Sequence, residues 1–317
     1  MLNVMLVGVG GWGSNHARVL GTLKGDVVNN LVLVDLNVER IKRFAKIYGA
    51  KYYTNIDDAL RKEELDAAII ATPTNLHFEH AKKSLENGLH VLVEKPLTDT
   101  LENAIKLYDE AKSSGRLVSV GFIMRYHPLV EYLKRNARRK LGKILAINSK
   151  RTSWWPNRPW DAGVVKDLAI HDIDLARYLF DRDAKVVYGK VGSLRHSYYE
   201  DYALFIIDYG EFSGIFESNW ITPYKIRYFS VTGDQAVVNI DFVNEELMIL
   251  EKDQAIKPLV RGEEPLVLED RDFLMSIVEK RKPKVTIEDG IKALATCEAI
   301  LKSATLGKPV EVEYPLA

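Results

Sequence analysis

The first 35 residues constrain the fold of this chain more than any other segment. An apolar run over 2–7 leads directly into a glycine-rich stretch over 8–13, and a second apolar run over 31–34 ends at Asp35. A strand, a glycine turn, a helix and an acidic residue at the next strand end follow one another in the order of a dinucleotide-binding fold. Glycines alone would equally suit an ordinary turn in an α/β domain, so it is the complete order that favours nucleotide binding.

Each glycine of this stretch has its own expected role. Gly8 allows a tight turn, Gly10 lets the backbone approach a pyrophosphate, and Gly13 lets the helix pack closely on the strand. Asp35 is expected to bind the ribose 2′-hydroxyl, which favours NAD, whereas Arg40 is the residue that would serve the 2′-phosphate of NADP. The predicted cofactor contacts of this segment are Gly8, Gly10, Gly11, Trp12, Gly13, Asp35 and Arg40.

Composition excludes several classes of partner. Lys and Arg together number 44, as do Asp and Glu, so no net field attracts nucleic acid or an anionic membrane. Cys297 is the single cysteine, which rules out an internal disulfide and suits a reducing compartment. No signal peptide is recognisable, and no apolar run approaches the roughly 18 residues that a membrane span needs. These features predict a soluble cytoplasmic protein without nucleic-acid or membrane partners.

The chain is long enough for about two domains, and its patterning changes near residue 122. Over 1–122, short apolar runs alternate with amphipathic segments, which predicts a Rossmann domain: a doubly wound parallel sheet covered by helices on both faces. Predicted strands are 2–7, 31–35, 51–53, 66–71, 90–93 and 117–120, and predicted helices are 12–23, 38–48, 56–63, 75–87 and 100–114. Ligands of such a sheet bind beyond the carboxyl ends of its strands.

Residues 123–317 are predicted to form an α+β domain for substrate binding and oligomerisation. Several strands follow one another between 185 and 251 without intervening helices, which indicates a one-sided, largely antiparallel sheet. Helices are expected near 128–140, 164–180, 266–281 and 288–305, with further strands near 143–152 and 310–312. Because apolar side chains between Phe212 and Phe229 occupy more than one face, we expect a homo-oligomer, a dimer or tetramer, formed through the open face.

Two segments carry candidate catalytic residues. A buried strand ends in Glu94-Lys95-Pro96, where a lysine of lowered pKa would stabilise an alkoxide; the alternative is a solvated strand end. In the helix near 164–180, Asp167 and His171 are four residues apart, so the carboxylate can orient the ring as a general base. Asp174 would lie on the same face of the helix. The alternative is that Asp167 and His171 are only an Asp/His pair on the helix surface, which is common at this spacing. No further His or Cys cluster supports a metal site.

Two loops complete the candidate site. The segment 71–77 follows a buried strand and is expected to lie along the nucleotide, with His77 either beside the helix cap or on the ligand. Three tryptophans lie within 154–160, where they would stack on sugar rings or bury themselves in an oligomer interface, while Arg158 would clamp a phosphate. The remaining predicted cofactor contacts are Thr72, Pro73, Asn75, His77, Glu94, Lys95 and Pro96.

Together these motifs resemble the glucose–fructose oxidoreductase / inositol dehydrogenase (GFO/IDH/MocA) family, and the resemblance covers essentially the whole chain. It rests on the glycine loop, Ala71-Thr72-Pro73, Glu94-Lys95-Pro96, the segment 121–128 and the Asp167/His171 helix. The resemblance implies that Lys95 and His171 are the catalytic pair and that Asp167 binds or orients at the site. The substrate-binding residues that we predict are Lys95, Arg125, Tyr126, Arg158, Trp160, Asp167 and His171.

The expected function is NAD-dependent oxidation of a secondary hydroxyl of a sugar. Residues 158–174 look most like the UDP-N-acetylglucosamine 3-dehydrogenase branch, which implies C3 of a nucleotide sugar as the position oxidised. A free-polyol dehydrogenase of the inositol type is the alternative, because one scaffold serves many substrates. A dinucleotide sensor without turnover is a third class, but it would need only the glycine loop of the first domain.

Overall fold

The computed structural model describes residues 1–156 and 161–316, and its contacts divide the chain into two compact units. The first unit comprises Met1–Ile123 and Glu264–Ile291, and the second comprises Met124–Glu263 and Lys292–Ala317. The first break therefore lies one residue beyond the end of the predicted dinucleotide domain. The segment Glu264–Ile291, predicted to lie in the second domain, groups with the first unit by its contacts.

A six-stranded parallel sheet with the order β3-β2-β1-β4-β5-β6 forms the centre of the first unit. The order reverses beside β1, which is where ligands bind in sheets of this kind. The predicted Rossmann domain is confirmed, with strand and helix ends within three residues of those expected. The elements are β1 (Leu2–Val7), α1 (Gly13–Thr22), β2 (Val28–Val34), α2 (Val38–Tyr48), β3 (Lys51–Tyr53), α3 (Ile56–Lys62), β4 (Ala67–Ile70), α4 (His77–Glu86), β5 (His90–Glu94), α5 (Leu101–Ser114), β6 (Val118–Gly121) and α8 (Pro265–Val278).

Helix α8 belongs to the first unit because its apolar side chains complete that unit's core. Leu266, Phe273 and Leu274 are buried in one cluster with Leu6 of β1 and Leu20 of α1. The amphipathic pattern of α8 predicted its existence correctly. It could not show which core the apolar stripe joins, since the pattern of an amphipathic helix is the same on either core.

A nine-stranded sheet with the order β14-β13-β12-β11-β7-β10-β9-β8-β15 forms the second unit. Its described strand pairs are antiparallel apart from β7 and β10, so the predicted largely antiparallel sheet is confirmed. The elements are α6 (Pro128–Tyr132), β7 (Ile144–Thr152), α7 (Ile170–Phe180), β8 (Val186–Gly192), β9 (Tyr202–Asp208), β10 (Ser213–Asn219), β11 (Ile226–Gly233), β12 (Ala236–Asp241), β13 (Glu246–Glu251), β14 (Gln254–Ile256), α9 (Ile287–Leu306, its last part from Lys292 in this unit) and β15 (Val310–Glu311).

The two faces of this sheet differ in what covers them. Phe205 and Phe216 are buried on one face, whereas Leu204, Ile206 and Ile215 on the other are 48%, 44% and 57% exposed. The register places Tyr188, Ile206 and Ile215 side by side across β8, β9 and β10. We call the set Tyr188, Leu204, Ile206 and Ile215 the open apolar patch.

Several aromatic residues expected on the open face point into the core instead. Phe212, Trp220 and Phe229 are buried, whereas Tyr224 and Tyr228 are exposed as expected. The alternation along the strands sends every second side chain inward, which the density of aromatics in this segment obscured. Within 1–156 and 161–316, every helix is too short or too polar to cross a bilayer.

Candidate functional site

The glycine loop of the first unit has the backbone that a dinucleotide site requires. Gly8 has a φ of +90°, and a Cβ on it would lie 2.6 Å from the carbonyl oxygen of Ala71. A Cβ on Gly13 would overlap the carbonyl oxygen of Gly8. By contrast, a Cβ on Gly10 would have Arg40 Nη1 as its nearest neighbour, 3.9 Å away, and one on Gly11 would meet nothing within 4 Å. The loop is therefore packed on its inner side and open on its outer side, which fits a pyrophosphate.

Asp35 stands beside this loop with its carboxylate held by backbone groups. Oδ2 accepts a hydrogen bond from Val9 N (2.7 Å), and Oδ1 accepts one from Asn37 N (2.8 Å). Each carboxylate oxygen retains further acceptor capacity, as ribose binding requires. Arg40 Nη1 lies 3.7 Å from Asp35 Oδ2, so the acid partly offsets the charge that would attract a 2′-phosphate.

His77 joins the two loops that follow β4 and β5. Its ring is only 1% exposed, with Nε2 lying 2.9 Å from Thr72 O and Nδ1 lying 2.9 Å from Pro96 O. These contacts make His77 a positioning residue for the two loops. The geometry therefore favours a structural role of His77 over a direct contact with the ligand. Thr72 and Pro73, which precede the short turn at Thr74–Leu76, and Asn75 within that turn stay predicted cofactor contacts.

Glu94 connects the glycine loop to the lysine that we predict to be catalytic. Its Oε1 accepts hydrogen bonds from Trp12 Nε1 (2.8 Å) and contacts His16 Nε2 (3.0 Å), while Oε2 accepts from Lys95 N (3.1 Å). A Cβ at Gly121 would lie 2.7 Å from Glu94 Oε1, so a larger residue there would displace the Glu94 carboxylate. Glu94 is therefore an internal support for the strand end, followed by half-buried Lys95 and a cis Lys95–Pro96 bond.

Behind Glu94 lies a buried charge cluster that sequence reasoning missed. His16 Nδ1 is 2.9 Å from Asp270 Oδ1, and both residues are fully buried. Burial disfavours the imidazolium, but the charges and hydrogen bonds of Asp270 and Glu94 outweigh it and raise the pKa of His16 well above its ordinary value. Glu269 is also buried, and neither of its carboxyl oxygens has a hydrogen-bond partner among the described residues. Burial, and next the charge of Glu94, raise the pKa of Glu269 well above its ordinary value, so it is held neutral.

In the second unit, the candidate Asp167/His171 helix begins with a π turn at Val165–Ala169 and continues as α7. Single π turns occur frequently at functional sites. Glu200 fixes the start of this segment, since its Oε1 accepts from Val165 N (3.0 Å) and its carbonyl oxygen accepts from Val164 N (2.9 Å). A side chain at Gly163 would overlap the Glu200 carboxylate. The position of Asp167 and His171 is thus anchored from the loop before β9.

Two acidic residues of α7 are engaged in buried ion pairs. Arg151 Nε and Nη2 donate to Asp172 at 2.8 and 2.6 Å, and Arg125 Nε and Nη2 donate to Asp174 at 2.8 and 2.5 Å. The expectation that Asp174 shares a functional face with His171 is corrected, because Asp174 points into the core. The π turn ends before both His171 and Asp174, so the cause is the buried partner Arg125 and not a change of helical spacing.

The predicted substrate contacts Arg125 and Tyr126 also lie in the core. Both are buried, and the guanidinium of Arg125 additionally lies over the ring of Tyr178, 4.9 Å from its centroid. Freeing Arg125 for a substrate would leave Asp174 as an unpaired buried charge, which is costly. The structure therefore assigns Arg125 to the core rather than to a substrate surface.

Part of the tryptophan loop falls outside the described residues. Arg158 and Trp160, both predicted to contact substrate, belong to that part. Of the other two tryptophans, Trp154 is exposed and Trp155 has its ring centroid 6.3 Å from that of His196.

Two family models match this chain, one on each side of the predicted domain boundary. Residues 2–122 match the GFO/IDH/MocA oxidoreductase family, NAD-binding Rossmann fold, and residues 133–239 match the GFO/IDH/MocA C-terminal domain. The predictions of an NAD cofactor and of an oxidoreductase are thereby confirmed.

Named relatives include sugar dehydrogenases. Glucose-6-phosphate 3-dehydrogenase of Bacillus subtilis is 33% identical over 58% of this chain, and the match spans about half of that relative (55%). UDP-N-acetylglucosamine 3-dehydrogenase of Acidithiobacillus ferrooxidans is 27% identical over 96% of this chain and 92% of that protein. A solved levoglucosan dehydrogenase, in complex with NADH and L-sorbose, is 22% identical with a TM-score of 0.90 over 100% of both chains, which shows a shared fold. With both domains matched and the glycine loop intact, this chain belongs to the GFO/IDH/MocA family of NAD-binding oxidoreductases.

Proposed function

We propose that this protein is an NAD-dependent dehydrogenase that oxidises a secondary hydroxyl of a sugar, with C3 of UDP-N-acetylglucosamine or a related nucleotide sugar as the first candidate. The observation that carries the proposal is the Asp167/His171 segment, which Glu200 anchors in a unit separate from the dinucleotide-binding unit. A protein that only sensed the dinucleotide would need the glycine loop but not this segment or Lys95.

The residues divide the chemistry of alcohol oxidation between them. Oxidation of a secondary alcohol to a ketone removes the hydroxyl proton and a hydride from the same carbon. His171 takes the proton, since an imidazole is a base near neutral pH, and Asp167 orients its ring. Lys95 stabilises the negative charge that develops on the oxygen. Bound NAD supplies the acceptor for the hydride, held by the glycine loop and Asp35.

The names of the relatives support a sugar substrate and the position oxidised. Two relatives are named 3-dehydrogenases, one of glucose 6-phosphate and one of UDP-N-acetylglucosamine. Another relative, from Rhodococcus jostii, is named inositol 2-dehydrogenase and is 30% identical over 59% of this chain. A free-polyol dehydrogenase therefore stays as the second candidate.

We propose further that the protein is a cytoplasmic homo-oligomer, a dimer or tetramer, that buries the open apolar patch. Tyr188, Leu204, Ile206 and Ile215 form adjoining exposed positions on one sheet face. Contiguous apolar patches of this kind are uncommon on monomers and mark contact surfaces. The single thiol, Cys297, is buried and reduced, as a reducing compartment allows.

A substrate panel tests the proposal. Purified protein with NAD is offered UDP-N-acetylglucosamine, glucose 6-phosphate, glucose and myo-inositol, and NADH formation is followed by its absorbance. We expect NADH with at least one sugar, formed about 10²–10⁴-fold more slowly by a Lys95→Ala variant assayed in parallel. Absence of NADH formation with every sugar and polyol, in protein that binds NAD, would contradict the proposal and favour a sensing role.

A further inference from the structure

Two arginines lie directly opposite each other on adjacent strands of the second unit's sheet. Arg151 of β7 and Arg227 of β11 are direct partners in the antiparallel register. Their neighbours two residues away, Ser149 and Phe229, are buried, so this row of side chains lies on the covered face. Like charges directly opposite each other on a sheet are destabilising, so the pair needs a compensating charge.

Of the two arginines, Arg151 alone has an ion-pair partner among the described residues. Arg151 is buried and forms the bidentate ion pair with Asp172. Arg227 donates from Nη1 to the carbonyl oxygens of Thr152 (2.6 Å) and Ile226 (3.0 Å). Among residues 1–156 and 161–316, no carboxylate lies within ion-pair distance of Arg227, and none of these residues accepts from its Nε or Nη2.

The donors that are not used are the ones suited to an oxyanion. Both hydrogens of Nη1 serve the two carbonyl groups, which fixes the guanidinium plane. The Nε–H and Nη2–H groups form the edge of the fork that binds carboxylate or phosphate in a bidentate manner. A fixed, half-buried guanidinium with this edge unused is preorganised for an anion.

This arginine lies near the segment that we assign to the reaction. The acidic groups whose charges act on Arg227 are Asp172, the residue after His171, and Asp167 itself. Burial, and next the positive charge of Arg151, lower the pKa of Arg227 to about 10, so the side chain is still a cation at neutral pH. The fold thus keeps a costly, incompletely compensated charge beside the Asp167/His171 helix, and such costs concentrate at functional sites.

We propose that Arg227 binds an oxyanion of the substrate, phosphate or carboxylate, next to the Asp167/His171 helix. This inference rests on the proposed function and narrows it: the substrate is a sugar that carries a negative charge rather than a neutral polyol. Recognition is by the two parallel N–H donors of Nε and Nη2. Arg227 is a specificity-determining residue in this scheme and takes no part in proton or hydride removal.

Matched pairs of probes that differ only in the charged group test this inference. The pairs are glucose 6-phosphate with glucose, glucuronate with glucose, and N-acetylglucosamine 1-phosphate with N-acetylglucosamine, so that phosphate and carboxylate are separated. Binding to the NADH-loaded protein is measured by calorimetry, and KM and kcat are measured with NAD. The variants are Arg227→Gln, Arg227→Lys and, as control, Arg135→Gln, since Arg135 lies in the same unit with its side chain 77% exposed.

We expect the wild type to bind the charged member of at least one pair more tightly. Arg227→Gln should weaken binding of that member, and raise its KM, by about 10- to 100-fold, as loss of charge-assisted hydrogen bonds does. Its kcat, and the binding of the neutral member, should stay close to the wild-type values. Arg227→Lys should recover part of the affinity because it restores a point charge without the fork. Thermal melting of each variant confirms that it is folded.

Three results would overturn the inference. The first is that the wild type shows no preference for any charged member. The second is that Arg227→Gln loses the same affinity for the charged and the neutral member. The third is that the Arg135→Gln control loses as much affinity for the charged member as Arg227→Gln does. Its failure is separable from that of the proposed function. NADH formation with equal efficiency from the charged and the neutral member of every pair would remove the oxyanion site and leave the dehydrogenase. If Arg227→Gln abolishes binding of the charged member but no probe gives NADH, the oxyanion site stands and the proposed dehydrogenase activity fails.

Discussion

Replacement of His16 by alanine tests the buried charge cluster that supports the first unit. The imidazolium lies between two carboxylates, 2.9 Å from Asp270 Oδ1 and 3.0 Å from Glu94 Oε1. The alanine variant leaves both carboxylates in the core without their cation, next to Glu269. Because Glu94 also binds Trp12 and the backbone of Lys95, the damage extends to the glycine loop and to the predicted catalytic lysine.

The expected size of the effect follows from the burial of the cluster. Removing one partner of a buried ion pair costs about 3–5 kcal/mol. One kcal/mol lowers the Tm of a unit of this size by about 2–4 °C, so we expect a decrease of about 6–20 °C. The KM for NAD should rise at the same time, since the glycine loop loses its support.

Differential scanning calorimetry at neutral pH measures this effect, with His90→Ala as the control. His90 is a half-buried histidine of the same unit that accepts a hydrogen bond from Leu117 N and has no carboxylate partner in the described hydrogen bonds. Its replacement should cost only about 1 kcal/mol. A Tm of His16→Ala within about 2 °C of the wild type, or equal to that of the control, would refute the ionic cluster.

The pH dependence of the same measurement has a fixed sign. The folded-state pKa of His16 is raised above its ordinary value of 6.5, so its stabilisation is complete below that value. It is lost progressively as the pH rises from there through the folded-state pKa. The Tm difference between wild type and His16→Ala should therefore narrow in alkaline solution.

Four further predictions concern other parts of the account. Lys95→Ala and His171→Ala should each lower kcat by about 10²–10⁴-fold and leave the Kd for NAD, from fluorescence titration, within a few fold; near-normal kcat in either variant would contradict its role. The wild type should bind NAD more tightly than NADP, and Asp35→Ala should narrow the ratio, because the carboxylate accepts from the 2′-hydroxyl and repels a 2′-phosphate; equal or tighter NADP binding by the wild type would count against this. Glu269→Gln should raise the Tm at pH 8 and make the Tm decline less with rising pH. The folded-state pKa of Glu269 lies above the ordinary 4.5, so wild-type stability falls as the pH rises from 4.5 through the folded-state pKa. An unchanged dependence of Tm on pH in calorimetry would show that Glu269 is not held neutral. Light scattering should give the wild type a multiple of 36.0 kDa and the double variant Ile206→Lys, Ile215→Lys a single-chain mass; a single-chain mass for the wild type would exclude assembly through the open apolar patch.

The parts of the fold that could be predicted are those that short stretches of sequence determine. The order of apolar run, glycine turn and acidic strand end placed β1, α1 and β2, and Gly8 and Gly13 have the tight surroundings expected of them. Alternation along β9 and β10 likewise showed that one face of the second sheet is open. In each of these cases the residues that determine the structure lie within a few positions of one another.

The parts that could not be predicted depend on residues far apart in the chain. His16 and Asp270 are separated by 254 positions, and Arg125 and Asp174 by 49, so no local pattern reveals these pairs. The same holds for α8, whose apolar stripe suits either core. Among these charged groups, only Arg151 and Arg227 could have been recognised from the sequence. Both are charged residues at strand positions whose side chains, by the alternation along the strand, point inward.

Transfer of a labelled hydride tests the central claim most directly. UDP-N-acetylglucosamine carrying deuterium at C3 is incubated with the protein and NAD, and the reduced cofactor is analysed by mass spectrometry. We expect NADH that carries one deuterium, formed about 10²–10⁴-fold more slowly by His171→Ala. Absence of NADH, or NADH without deuterium, would contradict oxidation at C3 of this sugar.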